Sequence, residues 1–261
     1  MTIWLYAIIR DEAPILPYLL RHYLPWVDKL IFYDGGSTDG TREIIRAAMA
    51  NPEGKRGHVE LRDWAGSEGL VDDEFHVFAN TQWHEARGEA DWVIWIDADE
   101  FLVDGRLKMG DGGGGMRELL SGYLAAGVEV PRIQGYTMCS RTFPTTDGQI
   151  YDEVKTGFPD LIWSKPAIFQ PKINMMFTMG RHGIEGNVCR PTRSAGAEIK
   201  LLHYRALGLE YLKARHARNW ARVPARCREM SLGANTQPGW KENHGVAWFE
   251  ERMKEPMENV I

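Results

Sequence analysis

Two aspartates one residue apart, Asp97 and Asp99, directly follow five strongly apolar residues, Trp92-Val93-Ile94-Trp95-Ile96. An apolar run of that kind reads as a buried strand. Carboxylates at its end can share one hard cation, since Mg²⁺ and Mn²⁺ take oxygen ligands and Mg²⁺ is commonly held by one or two carboxylates plus substrate phosphates. With no ligand, the same pair would simply close the strand. A second segment, Asp34-Gly35-Gly36-Ser37-Thr38-Asp39-Gly40-Thr41, is built from turn and cap residues. Its glycines let backbone approach a ligand closely, and Asp39 or Thr41 can cap a following helix. Asp34 could accept hydrogen bonds from a base or a ribose. Taken alone, this segment reads as a turn and a cap. A third polar cluster, Arg10-Asp11-Glu12, ends the apolar run Ile3–Ile9.

The elements that must position these residues alternate along the first hundred positions. Strand signals fall at 3–9, 29–33, 58–64 and 92–96. Helical spacing follows Pro14, placed for a first turn, and recurs after Thr41 and over 70–88. This βαβαβαβ order predicts an α/β fold with a parallel sheet and helices on both faces. Ligands of such sheets bind outside the carboxyl ends of the strands, where Asp11, Glu12, Asp34, Asp97 and Asp99 would converge. Beyond residue 105 the pattern loosens. A glycine-rich stretch at Gly110–Gly115 reads as a connection, 116–126 as a helix, 128–138 as a strand, 140–200 as short strands, and 207–230 as helix. One domain over 1–261 is expected, with 1–105 as one half and a more irregular 106–261 as the other.

The chain has 261 residues, 44% hydrophobic and 26% charged, which excludes a disordered, collagenous or coiled-coil chain. No apolar run reaches membrane-spanning length, and the N-terminus does not read as a signal peptide. Cys139, Cys189 and Cys227 fit neither a metal box nor a disulfide framework, so a cytoplasmic setting is expected. The net charge of −5 is unevenly spread: residues 1–105 carry 9 Lys+Arg against 20 Asp+Glu, the rest 22 against 16. An acidic first half argues against nucleic-acid binding, which needs a basic footprint. Residues 165–228 hold 13 Lys and Arg, read as solvated helix faces, with Lys165, Lys172 or Arg205 available to pair with a diphosphate. Among the tryptophans, Trp4, Trp92 and Trp95 read as core. Trp64, Trp83, Trp163, Trp240 and Trp248 read as nearer the crevice, where an indole could stack on a sugar.

Together, DGGSTDGT and VIWIDADEF, about sixty residues apart, resemble the N-G-S-T-D-G-T and D-x-D-E-F pair of family 2-type glycosyltransferases of the GT-A fold. Arg10-Asp11-Glu12 is similar to that family's R-N-E. Leu202-His203-Tyr204, then Leu207-Gly208, Tyr211 and Arg215, resembles the C-terminal segment of one bacterial subgroup, as does Lys165-Pro166 with Gly180-Arg181-His182 downstream. The resemblance implies a Rossmann-like fold with a mostly parallel central sheet and C-terminal helices. It implies a nucleotide-diphosphate-sugar donor, UDP- or GDP-linked, and a divalent cation, Mn²⁺ or Mg²⁺. Asp34 would contact the nucleoside, and Asp11 or Glu12 would line its pocket, with Arg10 and Asp39 in the same turns. Asp97 would lie by the ribose or the metal, Asp99 would bind the metal, His203 would complete that site, and Lys165 would meet the diphosphate. The chain departs from the family at Asp34 and Asp11, where asparagine is commoner.

Such enzymes usually invert the anomeric carbon in one displacement, with a carboxylate deprotonating the acceptor hydroxyl. Asp160 and Glu185 are the candidates for that base, with Glu153 behind them. His182, in a loop-like setting, could also reach a substrate. The acceptor would be a glycan or a lipid-linked hydroxyl, in surface polysaccharide synthesis, with peripheral membrane contact open to a basic helix. Two other readings compete: a phosphohydrolase using Asp97 as nucleophile, and a non-catalytic nucleotide-sugar binding module.

Overall fold

The computed structural model describes residues 1–50, 56–64, 72–106, 114–185, 198–229, 237 and 245–261. Cys189, Trp240 and most of the glycine-rich stretch lie outside the described residues. The first sheet is built from the apolar runs legible in the sequence. Strands β1 (Ile3–Ile9), β2 (Lys29–Asp34), β3 (His58–Asp63) and β4 (Trp92–Ile96) are parallel, in the order β3-β2-β1-β4. All five residues of β4 are buried, as befits a parallel strand covered on both faces. Helices α1 (Leu16–Tyr23), α2 (Thr41–Ala50) and α3 (Asp72–Thr81) make the connections. The first turn of α1 carries Pro17 rather than Pro14, and α3 stops at Thr81, giving way to a 3-10 turn over Gln82–Ala86. A short fifth strand closes the sheet, antiparallel to β4, with Ile94 opposite Ile168.

A second sheet, not expected from the sequence, starts where β4 ends. After Asp97-Ala98-Asp99 the chain enters β5 (Glu100–Asp104), which pairs antiparallel with β9 (Ile199–Leu207). Between them in sequence come α4 (Gly114–Ala125), β6 (Ile133–Ser140), α5 (Ile150–Glu153), β7 (Thr156–Pro159) and the fifth strand of the first sheet, β8 (Ile168–Phe169). The second sheet runs β10-β7-β6-β9-β5, with β10 at Glu258–Asn259, and only its β6–β9 pair is parallel. Thus the α/β class holds: the first sheet is mostly parallel, and a second five-stranded mixed sheet stands beside it in place of the irregular part expected there. The C-terminal part ends in α6 (Leu209–Ala221), α7 (Ala225–Glu229) and α8 (Val246–Arg252), with Pro224 breaking the helix expected over 207–230. Among the described residues no helix is long and apolar enough to cross a membrane.

One apolar cluster runs through both sheets, from Ile3, Leu5 and Ile94 to Phe101, Leu201 and Leu207. Gly135 shows how closely the layers pack. A Cβ there would lie 2.2 Å from the Trp163 carbonyl carbon, so only glycine lets the 3-10 turn Leu161–Trp163 rest on β6.

His22 ties α1 to the second sheet. Its ring is fully buried, and Nε2 donates to the Leu102 carbonyl of β5 at 2.9 Å. Burial pushes its pKa from 6.5 down to about 4, with the Leu102 bond opposing. The folded value lies below the unfolded one, so the contribution is complete above about pH 6.5 and is lost as pH falls through about 4. A shift of that size is worth at most about 3 kcal/mol. Urea melts over that pH range should therefore show less acid sensitivity in His22→Gln than in the wild type; identical slopes would contradict the assignment.

Candidate functional site

The order β3-β2-β1-β4 reverses direction at β1, since β2 and β3 lie on one side of it and β4 on the other. A crevice at the carboxyl ends of β1 and β4 is where open α/β sheets place ligands. Arg10, Asp11 and Glu12 leave β1 there, and Asp97 to Glu100 leave β4. The loop after β2 flanks them.

That loop is held by its own carboxylates. Asp34 turns inward: its side chain is fully buried and accepts hydrogen bonds from Ser37 Oγ at 2.5 Å, from the Ser37 and Gly36 backbone N–H groups, and from Arg42 at 2.6 Å. Burial raises its pKa, but Ser37 and Arg42 outweigh that and hold it below the usual carboxylate range. Asp39 accepts from the Thr41 N–H and hydroxyl and from the Ala13 N–H, capping α2 and latching it to the end of β1. Asp11 adopts φ +53°, a left-handed conformation that aspartate and asparagine tolerate best; this accounts for the exchange of one for the other at this position. Its carboxylate accepts from the Thr38 N–H at 2.6 Å and pairs with Arg222. Arg10 packs its aliphatic stem against Gly35. Asp34 and Asp39 thus shape the loop, and the surface it offers a ligand is the backbone around Gly35 and Gly36.

Asp97, Ala98 and Asp99 form the three-residue passage between the two sheets, and their two carboxylates part company. Asp97 stays 38% exposed, paired with Arg181 and 3.6 Å from Lys165. Burial works against its charge, but Arg181 and Lys165 hold its pKa at about 2. Glu100 is fully buried; one oxygen accepts from the Asp97 N–H at 2.9 Å and the other lies 2.5 Å from Lys165. Burial keeps the Glu100 pKa above its usual value despite Lys165. Lys165, itself 1% exposed, therefore bridges two carboxylates.

Asp99 is buried, and one of its oxygens meets Arg215 at 2.6 Å and His203 Nε2 at 3.2 Å. Arg215 also reaches Glu12 at 3.5 Å. Burial disfavours charge on Asp99, yet Arg215 and His203 hold its pKa well below the ordinary range. Glu12 goes the other way: burial pushes it up to about 7 against Arg215. Helix α6 supplies this cation, and Arg222 just beyond its end holds Asp11. The β-sheet register brings His203 opposite Glu100.

The other candidates fall into different roles. Asp160 accepts from Thr137 Oγ1 at 2.9 Å and from the Ile162 N–H at 3.1 Å, capping the 161–163 turn. Glu185 faces His76 at 3.9 Å, and Glu153 accepts from the Thr145 and Thr146 N–H groups. Lys172 is exposed near Glu129, whereas Arg205 meets His216 at 3.2 Å. Trp83 is core, packed edge-on against Phe169, because β8 covers it. Trp163 does reach the site, with its ring 3.7 Å from that of His203. Sequence reasoning missed Glu100, Arg181 and Arg215 as site-builders. The signal was present for all three, which stand inside the motifs quoted above.

Among the described residues, no three His, Cys, Asp or Glu side chains stand together at cation-binding spacing. The nearest charges to these carboxylates are Arg215, Arg181 and Lys165, and attraction to them sets the carboxylate orientations. One buried oxygen of Asp99, Oδ1, has no hydrogen-bond partner, and an imidazole lies beside the same carboxylate. Carboxylate oxygen with imidazole is a donor set that Mn²⁺ accepts, so Asp99 and His203 offer two groups of the kind a divalent cation takes.

No protein-family model matches the chain. A TPR repeat-containing protein of Synechococcus elongatus is 38% identical to it over 96 residues, which are 37% of this chain and 20% of that protein. The chain therefore spans about a fifth of that relative's length.

Removing one partner of a buried pair leaves an uncompensated charge. Arg215→Ala strands Asp99 and Glu12, and should lower the unfolding free energy by about 3–5 kcal/mol in urea titration, with Arg215→Lys losing less. A loss below about 1 kcal/mol, the size of an exposed pair, would show that this network does not hold the crevice together.

Proposed function

We propose that this chain is a glycosyltransferase of the GT-A type that moves a sugar from a nucleotide-diphosphate donor to a hydroxyl acceptor, with a divalent cation. The observation that carries the reading is that the Gly35–Gly36 loop and the Asp97–Asp99 passage leave the carboxyl ends of β2 and β4, the two parallel neighbours of β1, where the strand order reverses. The sequence resemblance supplies the reaction class, and the crevice supplies groups suited to it.

The nucleoside would sit over β1 and β2, where the loop backbone lets it approach and Glu12 and Arg10 border it. The diphosphate would lie toward β4. Lys165, Arg181 and Arg215 supply positive charge there, where negative charge grows as the sugar–phosphate bond breaks. The cation, held by Asp99, Asp97 and His203, would add charge at the departing diphosphate. An acceptor oxygen attacks the anomeric carbon, the bond to the diphosphate oxygen breaks with its electron pair, and configuration inverts. The acceptor is a glycan or a lipid-linked hydroxyl, and the process is surface polysaccharide synthesis.

Calorimetry of UDP and GDP in the presence of Mn²⁺ should show binding by the wild-type chain. Asp99→Asn should weaken it at least tenfold while the far-UV circular dichroism stays unchanged. Undiminished binding by that variant would overturn the metal assignment. Binding without any turnover of UDP- or GDP-hexoses would favour the binding-module reading.

A further inference from the structure

The base assigned from sequence was a carboxylate, and the structure offers a different group. A cavity of about 320 Å³ opens beside Asp97, lined by Arg132, Ile133, Ser164, Lys165, His182 and Ile184 among others, large enough for a small ligand. Lys165 joins it to the crevice, since its ammonium lies 3.6 Å from Asp97. Among the described residues no acidic side chain lines it.

His182 stands in this cavity in a defined tautomer. Its Nδ1 lies 3.2 Å from the Ile162 carbonyl oxygen. A carbonyl can only accept, so the neutral ring carries its proton on Nδ1 and keeps a lone pair on Nε2. The ring sits edge-on to Trp163 at 5.3 Å. Its opposite edge is left open by Gly180: a Cβ there would come within 2.9 Å of Cδ2 and 3.1 Å of Nε2. Gly180 has φ +73° and Arg181 φ +60°. A left-handed arginine is costly and persists where its surroundings fix it; here the guanidinium is held by Asp97 and the Trp95 carbonyl. One tight turn therefore sets both the partner of Asp97 and the imidazole.

We propose that His182 is the general base of the transfer, taking the proton of an acceptor hydroxyl seated in this cavity. The inference rests on the glycosyltransferase reading. The O–H bond breaks and its proton passes to Nε2. The oxygen forms a bond to the anomeric carbon, and the sugar–phosphate electron pair leaves with the diphosphate. The imidazolium then returns its proton to water. Among the described residues the charged groups acting on the ring are Lys165 and Arg181 on one side of the balance and Asp97 on the other, and Arg132 lines the same cavity. Desolvation and then Lys165 lower the ring's pKa from its ordinary value, with the Ile162 hydrogen bond and Asp97 opposing. Asp160 is a positioning residue in this scheme: both its oxygens hold the turn that presents the Ile162 carbonyl to His182.

The test uses the full chain with UDP- and GDP-hexoses as donors, and water or a panel of methyl glycosides as acceptors. His182→Gln should lower the turnover rate by about 10²–10⁴-fold and leave calorimetric UDP or GDP affinity within about twofold. The wild-type rate should fall on the acid side with an apparent pKa below 6.5, and that limb should vanish in the variant. Added imidazole should restore part of the rate of His182→Ala. A variant that keeps its rate and its acid limb, with no imidazole rescue, overturns the assignment and leaves the donor site standing. A wild-type chain that binds neither nucleotide overturns the glycosyltransferase reading, and this inference with it.

Discussion

The crevice depends on one buried ion pair, Arg215 with Asp99, at 2.6 Å and 116 residues apart in sequence. Asp99 ends the passage out of the first sheet, and Arg215 lies on the helix that follows the last long strand of the second. Their attraction across a low-dielectric interior is strong only because both are shielded from water, and for the same reason either one left alone would be costly. Glu12, from the end of β1, joins the same guanidinium. Three segments distant in sequence are thus pinned at one point, and the shape of the crevice follows from it.

The same principle distributes charge around the site. The first 105 residues carry an excess of 11 acidic groups, and the remainder an excess of 6 basic ones. The excess of one half meets that of the other: Asp11 with Arg222, Asp97 with Arg181 and Lys165, Asp99 and Glu12 with Arg215. In the proposed reading, an anionic donor would meet cations that these pairs have already positioned. In that reading a divalent ion would add a further charge at Asp99 Oδ1, a buried carboxylate oxygen that, like Glu12 Oε2, has no hydrogen-bond partner.

Strands β1, β2 and β4 were legible because they are apolar on both faces, and the acidic ends of β1 and β4 marked the crevice. Strand β5 was not, because Glu100 and Asp104 bound it and charged residues do not read as core. In the structure both are buried, compensated by Lys165 and Arg106. The second sheet was missed with it. Carboxylate roles were the least legible feature. Asp34, Asp39, Glu153 and Asp160 all accept backbone N–H bonds at turns, and a capping carboxylate and a ligand-binding one occupy the same kinds of position. His182 was visible only as a loop histidine, since its meaning depends on the Ile162 carbonyl and on Gly180, which no local pattern reveals.

The most direct measurement is the thermal unfolding of the wild-type chain with UDP, GDP and a nucleoside monophosphate, each with Mn²⁺ and with excess chelator. A ligand bound only by the folded state stabilises it by about 2.7 kcal/mol at a hundredfold excess over its Kd. The account predicts a raised Tm with a nucleoside diphosphate and Mn²⁺ together, and little or none with the chelator. No shift with either diphosphate, or an equal shift with and without the cation, would contradict it.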